Sequence, residues 1–125
     1  MKILVDTSVW VRALLGREPY TGQLRRLLLN NSAIGHDLVF GELLIGDKGG
    51  RPRVLAEYAK IERCPTVPHD DAVALVQQGR LHGLGLSWID VHLLASALVG
   101  RHKLWTADAA LESAAARYGA DWKSK

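Results

Sequence analysis

The opening segment MKILVDTSVW limits the fold more than any other stretch of the chain. Ile3, Leu4 and Val5 are consecutive apolar residues with no polar alternation, the pattern of a strand covered on both faces, and such strands belong to parallel sheets flanked by helices. The run stops on a carboxylate, Asp6, and two hydroxyls follow at once, Thr7 and Ser8. A strand built for a core therefore ends by delivering an acid and two alcohols to its carboxyl edge.

The rest of the chain repeats the alternation. TSVWVRALLG reads as a helix that Thr7 or Ser8 can cap, TGQLRRLLLN as a second helix, and SAIG as a short strand. HDLVFGELLIG is a helix with Asp37 as its N-cap, ended by the breaker DKGGRP. VLAEYAKIERC is another helix, TVP a brief strand, and DDAVALVQQGRLHG an amphipathic helix. SWIDVHLLASALVG is a helix, KLWT a strand, ADAALESAAARYG a helix, and DWKSK a terminal strand and tail. Short apolar runs alternating with helical patterns predict an α/β fold with a mainly parallel sheet. At 125 residues the expectation is one domain over 1–125, able to bury a core without disulfides or a structural metal.

Cys64 is the only cysteine, which rules out an intramolecular disulfide and a thiolate zinc site and fits a reducing compartment. Asp6 and Arg12 interrupt the first apolar stretch, no small-residue cleavage pattern follows it, and no run approaches the length of a membrane span. A cytoplasmic protein with no membrane association is expected.

Four acids stand out by position. Asp6 ends the first strand, Glu42 lies within an apolar helix, Asp90 sits in the first turn of the SWID helix, and Asp108 follows the KLWT strand. In open α/β sheets, ligands bind in the crevice beyond the carboxyl ends of the strands. Each acid also has a purely structural reading. Asp6 and Asp108 fit helix N-caps, Ser87 with Asp90 fits an S-x-x-D capping box, and a mid-helix Glu is commonly solvated. If the four converge, their mutual repulsion calls for a cation, and hard oxygen donors suit Mg²⁺ or Mn²⁺. Setting them aside leaves nine acidic residues against sixteen basic ones. An acidic hole in a basic surface suits phosphodiester hydrolysis in a nucleic acid.

VDTSVW, a helical Glu42, SWIDVHLLASAL and LWTAD, in that order, resemble the PIN-domain nucleases. The short length and this opening are most similar to the VapC toxins of bacterial toxin-antitoxin pairs. The resemblance runs from residue 2 to 111 and implies a three-layer fold, a mainly parallel central sheet with helices on both faces. It implies that Asp6, Glu42, Asp90 and Asp108 hold Mg²⁺, with Mn²⁺ as a substitute, and that Ser8 and Thr106 support them. The activity it implies is endoribonuclease cleavage by metal-activated water, with no protein nucleophile. Many members carry a second Asp and a Phe after the fourth acid; Ala110 and Leu111 stand there in this chain, which leaves Asp108 the sole acid on its loop.

The partners implied are an RNA substrate and a cognate antitoxin whose helical segment lies in an apolar groove. Trp10, Leu14, Leu15, Leu24 and Leu28 supply more apolar surface than one packed face needs, which suits that groove or a homodimer contact. Arg12, one turn after Ser8, is the candidate for a substrate phosphate. Trp10, Trp88 and Trp105 are read as core or interface residues, and the five histidines form no H-E-x-x-H pattern and are read as structural. The alternatives are a housekeeping PIN-type RNA-processing nuclease and a PIN-like module that binds without cutting. A receiver domain fits poorly because Asp6 lacks an acidic neighbour, and an aspartyl phosphatase fits poorly because Ser8 stands where its second Asp belongs.

Overall fold

A computed structural model describes residues 1–123. Among these residues β1 (Ile3–Val5), β2 (Ala33–Ile34) and β3 (Lys103–Trp105) form one parallel sheet in the order β2-β1-β3. All three residues of β1 are buried. Successive side chains of a strand point to opposite faces, so both faces of the central strand are covered, and the expected α/β arrangement of a parallel sheet packed between helices is present.

The helices are α1 (Thr7–Leu14), α2 (Tyr20–Leu29), α3 (Asp37–Gly46), α4 (Pro52–Ala59), α5 (His69–Gly79), α6 (Trp88–Gly100) and α7 (Ala109–Arg117). Leu93, Leu94 and Ala97 of α6, Val9 of α1 and Val39 of α3 join the strands in the main core, with Leu111 of α7. A smaller cluster of Val67, Ala72, Val91 and Ala95 seats α5 against α6. None of the described helices is long and apolar enough to cross a membrane.

The register positions the site. Val5 pairs with Trp105, and the Asp6 N–H donates to the Trp105 carbonyl at 2.9 Å. The two strands thus end flush, and the next residues on each, Asp6 and Thr106, emerge side by side.

The segment TVP forms no strand. Pairing beyond β2 falls earlier, as an isolated bridge between Gly35 and Arg63, with Gly35 N–H donating to Glu62 O and Cys64 N–H to Gly35 O, both at 2.7 Å. Pro65 precedes TVP and Pro68 is its last residue, and neither has the N–H group a ladder requires. At the other edge, Leu104 bridges Asp121 in parallel, an isolated bridge where a terminal DWKSK strand was expected; residues 124 and 125 of that segment lie outside the described residues.

The N-cap of α3 is His36 and not Asp37. His36 Nδ1 accepts from Leu38 N–H at 3.0 Å, while Asp37, in the first turn, accepts from Arg63 at 2.6 Å. Because Nδ1 accepts, Nε2 carries the proton and donates to Ser96 Oγ at 2.9 Å. The Tyr58 hydroxyl closes the network, accepting from His36 N–H at 2.8 Å and donating to the His36 carbonyl at 3.3 Å. The phenol passes so near Gly35 that a Cβ there would stand 3.2 Å from it, so glycine is needed for close approach.

His36 is fully buried. Burial pushes its pKa below the ordinary imidazole value; Asp37 raises it, and His92 and Arg63 lower it further. The unfolded chain therefore takes up a proton that the folded chain refuses. Stability should be level above about pH 6.5 and fall as the pH drops through that value toward the folded pKa. Urea midpoints from pH 7.5 to 5.0 check this. His36→Asn retains an N-cap acceptor without a titrating ring, so it should be less stable at pH 7.5 and lose less on acidification. An equal loss in both proteins assigns the acid sensitivity elsewhere.

Candidate active site

Asp6 occupies the N-cap position of α1, yet its side chain accepts no hydrogen bond there from the helix backbone. Its Oδ2 accepts instead from Ser8 Oγ and Thr106 Oγ1, each at 2.7 Å, and the side chain is 5 % exposed. Ser8 Oγ also accepts from Ala107 N–H at 3.0 Å, and Thr106 Oγ1 from Asp108 N–H at 3.0 Å. Two strand ends, one helix N-terminus and the loop after β3 are thus locked together around a single carboxylate. The Asp6 carboxylate therefore caps no helix N–H, and the hydroxyls of Ser8 and Thr106 both converge on it.

Asp108 and Asp90 each carry out a structural duty as well. Asp108 Oδ1 caps α7 by accepting from Leu111 N–H at 3.0 Å. Asp90 Oδ2 accepts from Ser87 N–H at 2.9 Å while Asp90 N–H donates to Ser87 Oγ at 3.1 Å, the complete capping box of α6. Each spends one carboxylate oxygen on its helix; the other accepts no hydrogen bond among the described residues. The Asp90 carboxyl is held above the usual carboxylate range, first by burial, against the pull of its Ser87 hydrogen bonds, and further by the charges of Asp6 and Asp108. The Asp90 carboxyl therefore feels the charges of Asp6 and Asp108 at the carboxyl edge of the sheet.

Glu42 is tied to the same edge through α1. Its Oε1 accepts from Thr7 Oγ1 at 2.6 Å, so the two hydroxyls after Asp6 are shared out, Thr7 to Glu42 and Ser8 to Asp6. Arg12 donates from Nη1 to the Ser8 carbonyl at 3.1 Å and lies over the Tyr20 ring at 5.8 Å. This places a half-buried cation one turn from the acids.

As they stand, no three His, Cys, Asp or Glu side chains among the described residues are close enough to form a metal-holding group. The fold gathers the acids at one edge without closing them into a ligand shell. The donor set itself is all hard oxygen, from carboxylates and hydroxyls, and is the kind that Mg²⁺ and Mn²⁺ take.

The histidines do not enter this network. His36 is spent on α3 and Ser96, and His102 Nδ1 accepts from Lys2 N–H at 3.2 Å. His69 and His92 pack on Trp88, with ring centroids 5.4 and 5.1 Å apart. Trp10 and Trp105 are core residues as expected, but Trp88 is 44 % exposed and joins neither core cluster. Helical periodicity could have flagged it, because Trp88 and His92 are four apart and share a face distinct from that of buried Leu93 and Leu94.

Two apolar grooves lie beside α1. The larger, 680 Å³, runs between α1, α2 and α4 and is lined by Trp10, Leu14, Leu24, Leu28, Tyr58 and Ile61 among others. The second, 490 Å³, includes Val11, Leu14, Leu15, Leu43 and Leu55, with Glu42 in its lining.

The PIN domain family model matches residues 3–117. The chain is 42 % identical over 118 residues to Ribonuclease VapC32 of Mycobacterium tuberculosis, in both strain CDC 1551 / Oshkosh and strain H37Rv, covering 94 % of this chain and 93 % of that protein. A crystal structure of PAE2754 from Pyrobaculum aerophilum superposes with a TM-score of 0.58 over 91 % of this chain and 79 % of that one, at 17 % identity, a likeness of fold.

Proposed function

This chain belongs to the PIN-domain family, and on that premise we propose that it is a metal-dependent endoribonuclease acting as the toxin of a toxin-antitoxin pair in the cytoplasm. The observation that carries the reading is the Asp6 carboxylate, withheld from its helix and held by two hydroxyls beside Asp90 and Asp108. The ribonuclease name of the mycobacterial relatives supports the substrate class.

Asp6, Asp90 and Asp108, with Glu42, would hold Mg²⁺ or Mn²⁺. Such an ion, when bound, supplies Lewis-acid polarisation of the scissile phosphate and a water of lowered pKa. The chain's own residues do the rest. Ser8 and Thr106 both hold Asp6 Oδ2, which removes the rotamer freedom that would otherwise blur the site. Thr7 occupies Glu42 Oε1 and leaves Oε2 to accept a proton from an attacking water. Arg12 offers its guanidinium to a phosphate next to Ser8.

An antitoxin segment with an apolar helical face suits the grooves along α1, and the one that includes Glu42 would bring a basic residue of that segment to the acids. Homodimerisation through exposed apolar residues such as Leu44 and Ile45 belongs to the same reading.

Metal linkage tests the assignment. Purified protein should cut single-stranded RNA in Mg²⁺ or Mn²⁺ and stop when EDTA is added. Mn²⁺ should raise the melting temperature of the wild type and raise that of Asp6→Asn less. Equal shifts in the two proteins would place the ion elsewhere.

A further inference from the structure

We propose that Trp88 is a nucleobase-stacking platform that positions the RNA beside Asp90, an inference that rests on the nuclease reading above. Trp88 is the first residue of α6, and the Ser87–Asp90 capping box makes the first turn of that helix rigid. In helical geometry its Cα stands about 5.5 Å from that of Asp90. Residues two apart project about 200° from one another around a helix, so the indole and the Asp90 carboxylate leave that turn on different sides, and a bound strand would cross the end of α6 to meet both.

Burial does not account for this indole. It is 44 % exposed and belongs to neither core cluster, although a tryptophan is the residue with most to gain from being covered. Its orientation is nonetheless constrained. His69, at the start of α5, meets it at an interplanar angle of 57°, and His92, one turn along α6, meets it at 85°. Neither imidazole lies parallel on the ring, so no protein ring occupies the stacked geometry a base would use. An aromatic ring held in place with solvent access, on the first turn of the helix that carries Asp90, matches the way single-stranded nucleic acid is bound, through π-faces that accept every base.

A protein partner would favour a broad apolar patch. The rings around Trp88 are imidazoles, which tolerate water and can donate to a phosphate or a base edge. The chemistry favours a nucleotide.

Binding should be measured by fluorescence anisotropy with ten-nucleotide oligoadenosine and oligouridine, in Mn²⁺, on the Asp6→Asn protein so that the probe is not cut. Adding Trp88→Ala should weaken oligoadenosine binding roughly 5- to 100-fold and erase a preference for adenine over uracil, because purines stack more strongly; Trp88→Phe should keep most of both. Unchanged melting temperatures establish that the fold survives, as the position outside both cores predicts. If Trp88→Ala binds both probes as before, the platform is refuted. The same holds if it changes the sedimentation mass while RNA binding stays put, since the indole would then be a protein contact. Cleavage separates the two readings. A wild type that cuts RNA, with Trp88→Ala equal to it in kcat/KM, removes the platform alone; a wild type that neither cuts nor binds RNA removes the nuclease reading and the platform with it.

Discussion

Asp6→Asn should lose RNA cleavage by at least about 100-fold while folding as well as the wild type or better. The catalytic half of this expectation follows from what the carboxylate does. Changing a partner that merely orients a metal ligand commonly costs about 10- to 100-fold, and Asp6 is the group that Ser8 and Thr106 orient. The stability half follows from what the carboxylate does not do. No helix N–H depends on it, and the amide oxygen of Asn can accept from the same two hydroxyls. Removing its charge also takes away one of the influences that hold the Asp90 carboxyl high, so Asp90 should titrate lower in the variant by carbon-detected NMR. Asp108→Ala is the instructive contrast, because it also strips the cap from α7 and should cost about 1 kcal/mol of stability. Wild-type cleavage by Asp6→Asn would remove Asp6 from the site, and a cooperative loss of fold would make its role structural.

The same pair of residues shows how far the sequence could be read. Asp6 and Asp108 look alike in the chain, each following a short apolar strand and opening a helix, and each fits an N-cap. Only the structure separates them, because the difference lies in Thr106, a hundred residues from Asp6, which the Val5–Trp105 register brings alongside. Local signals were legible wherever the chemistry is local. The Ser87–Asp90 capping box and the apolar strands β1 and β3 stand where the pattern puts them.

The misreadings share a cause. His36 displaced Asp37 as the cap of α3 because Arg63 claims the Asp37 carboxylate and Ser96 fixes the imidazole, both of them distant in sequence. TVP was outcompeted as a strand by the residues just before Pro65, where the N–H groups are available. Trp88 was read with Trp10 and Trp105 as a core or interface residue, and only the core half of that reading is overturned, because composition cannot tell which face of α6 a ring turns to.

Cleavage should leave a 5′-phosphate and a free 3′-hydroxyl, and a single 2′-deoxy substitution at the scissile nucleotide should still permit cutting. Activation of the RNA 2′-hydroxyl requires a general base on one side of the phosphate and a general acid on the other, a task usually given to two histidines, and it ends in a cyclic phosphate. The acids at the sheet edge are served by hydroxyls and backbone amides, and no histidine hydrogen-bonds to Asp6, Asp90 or Asp108 among the described residues. His36 has both ring nitrogens engaged, and burial keeps it neutral. His69 and His92 are the pair that puts this to the test, since both pack on Trp88 beside the first turn of α6. If they positioned base and acid, mass spectrometry of the fragments would find a 2′,3′-cyclic phosphate, the deoxy substrate would resist, and His92→Gln would abolish cutting. If the carboxylates carry the reaction, the fragments end in a 5′-phosphate, the deoxy substrate is cut, and His92→Gln costs no more than the support it gives the indole. A cyclic phosphate would overturn the carboxylate reading even if Asp6 proved essential, because the acid would then be holding the substrate and not activating the attacking oxygen.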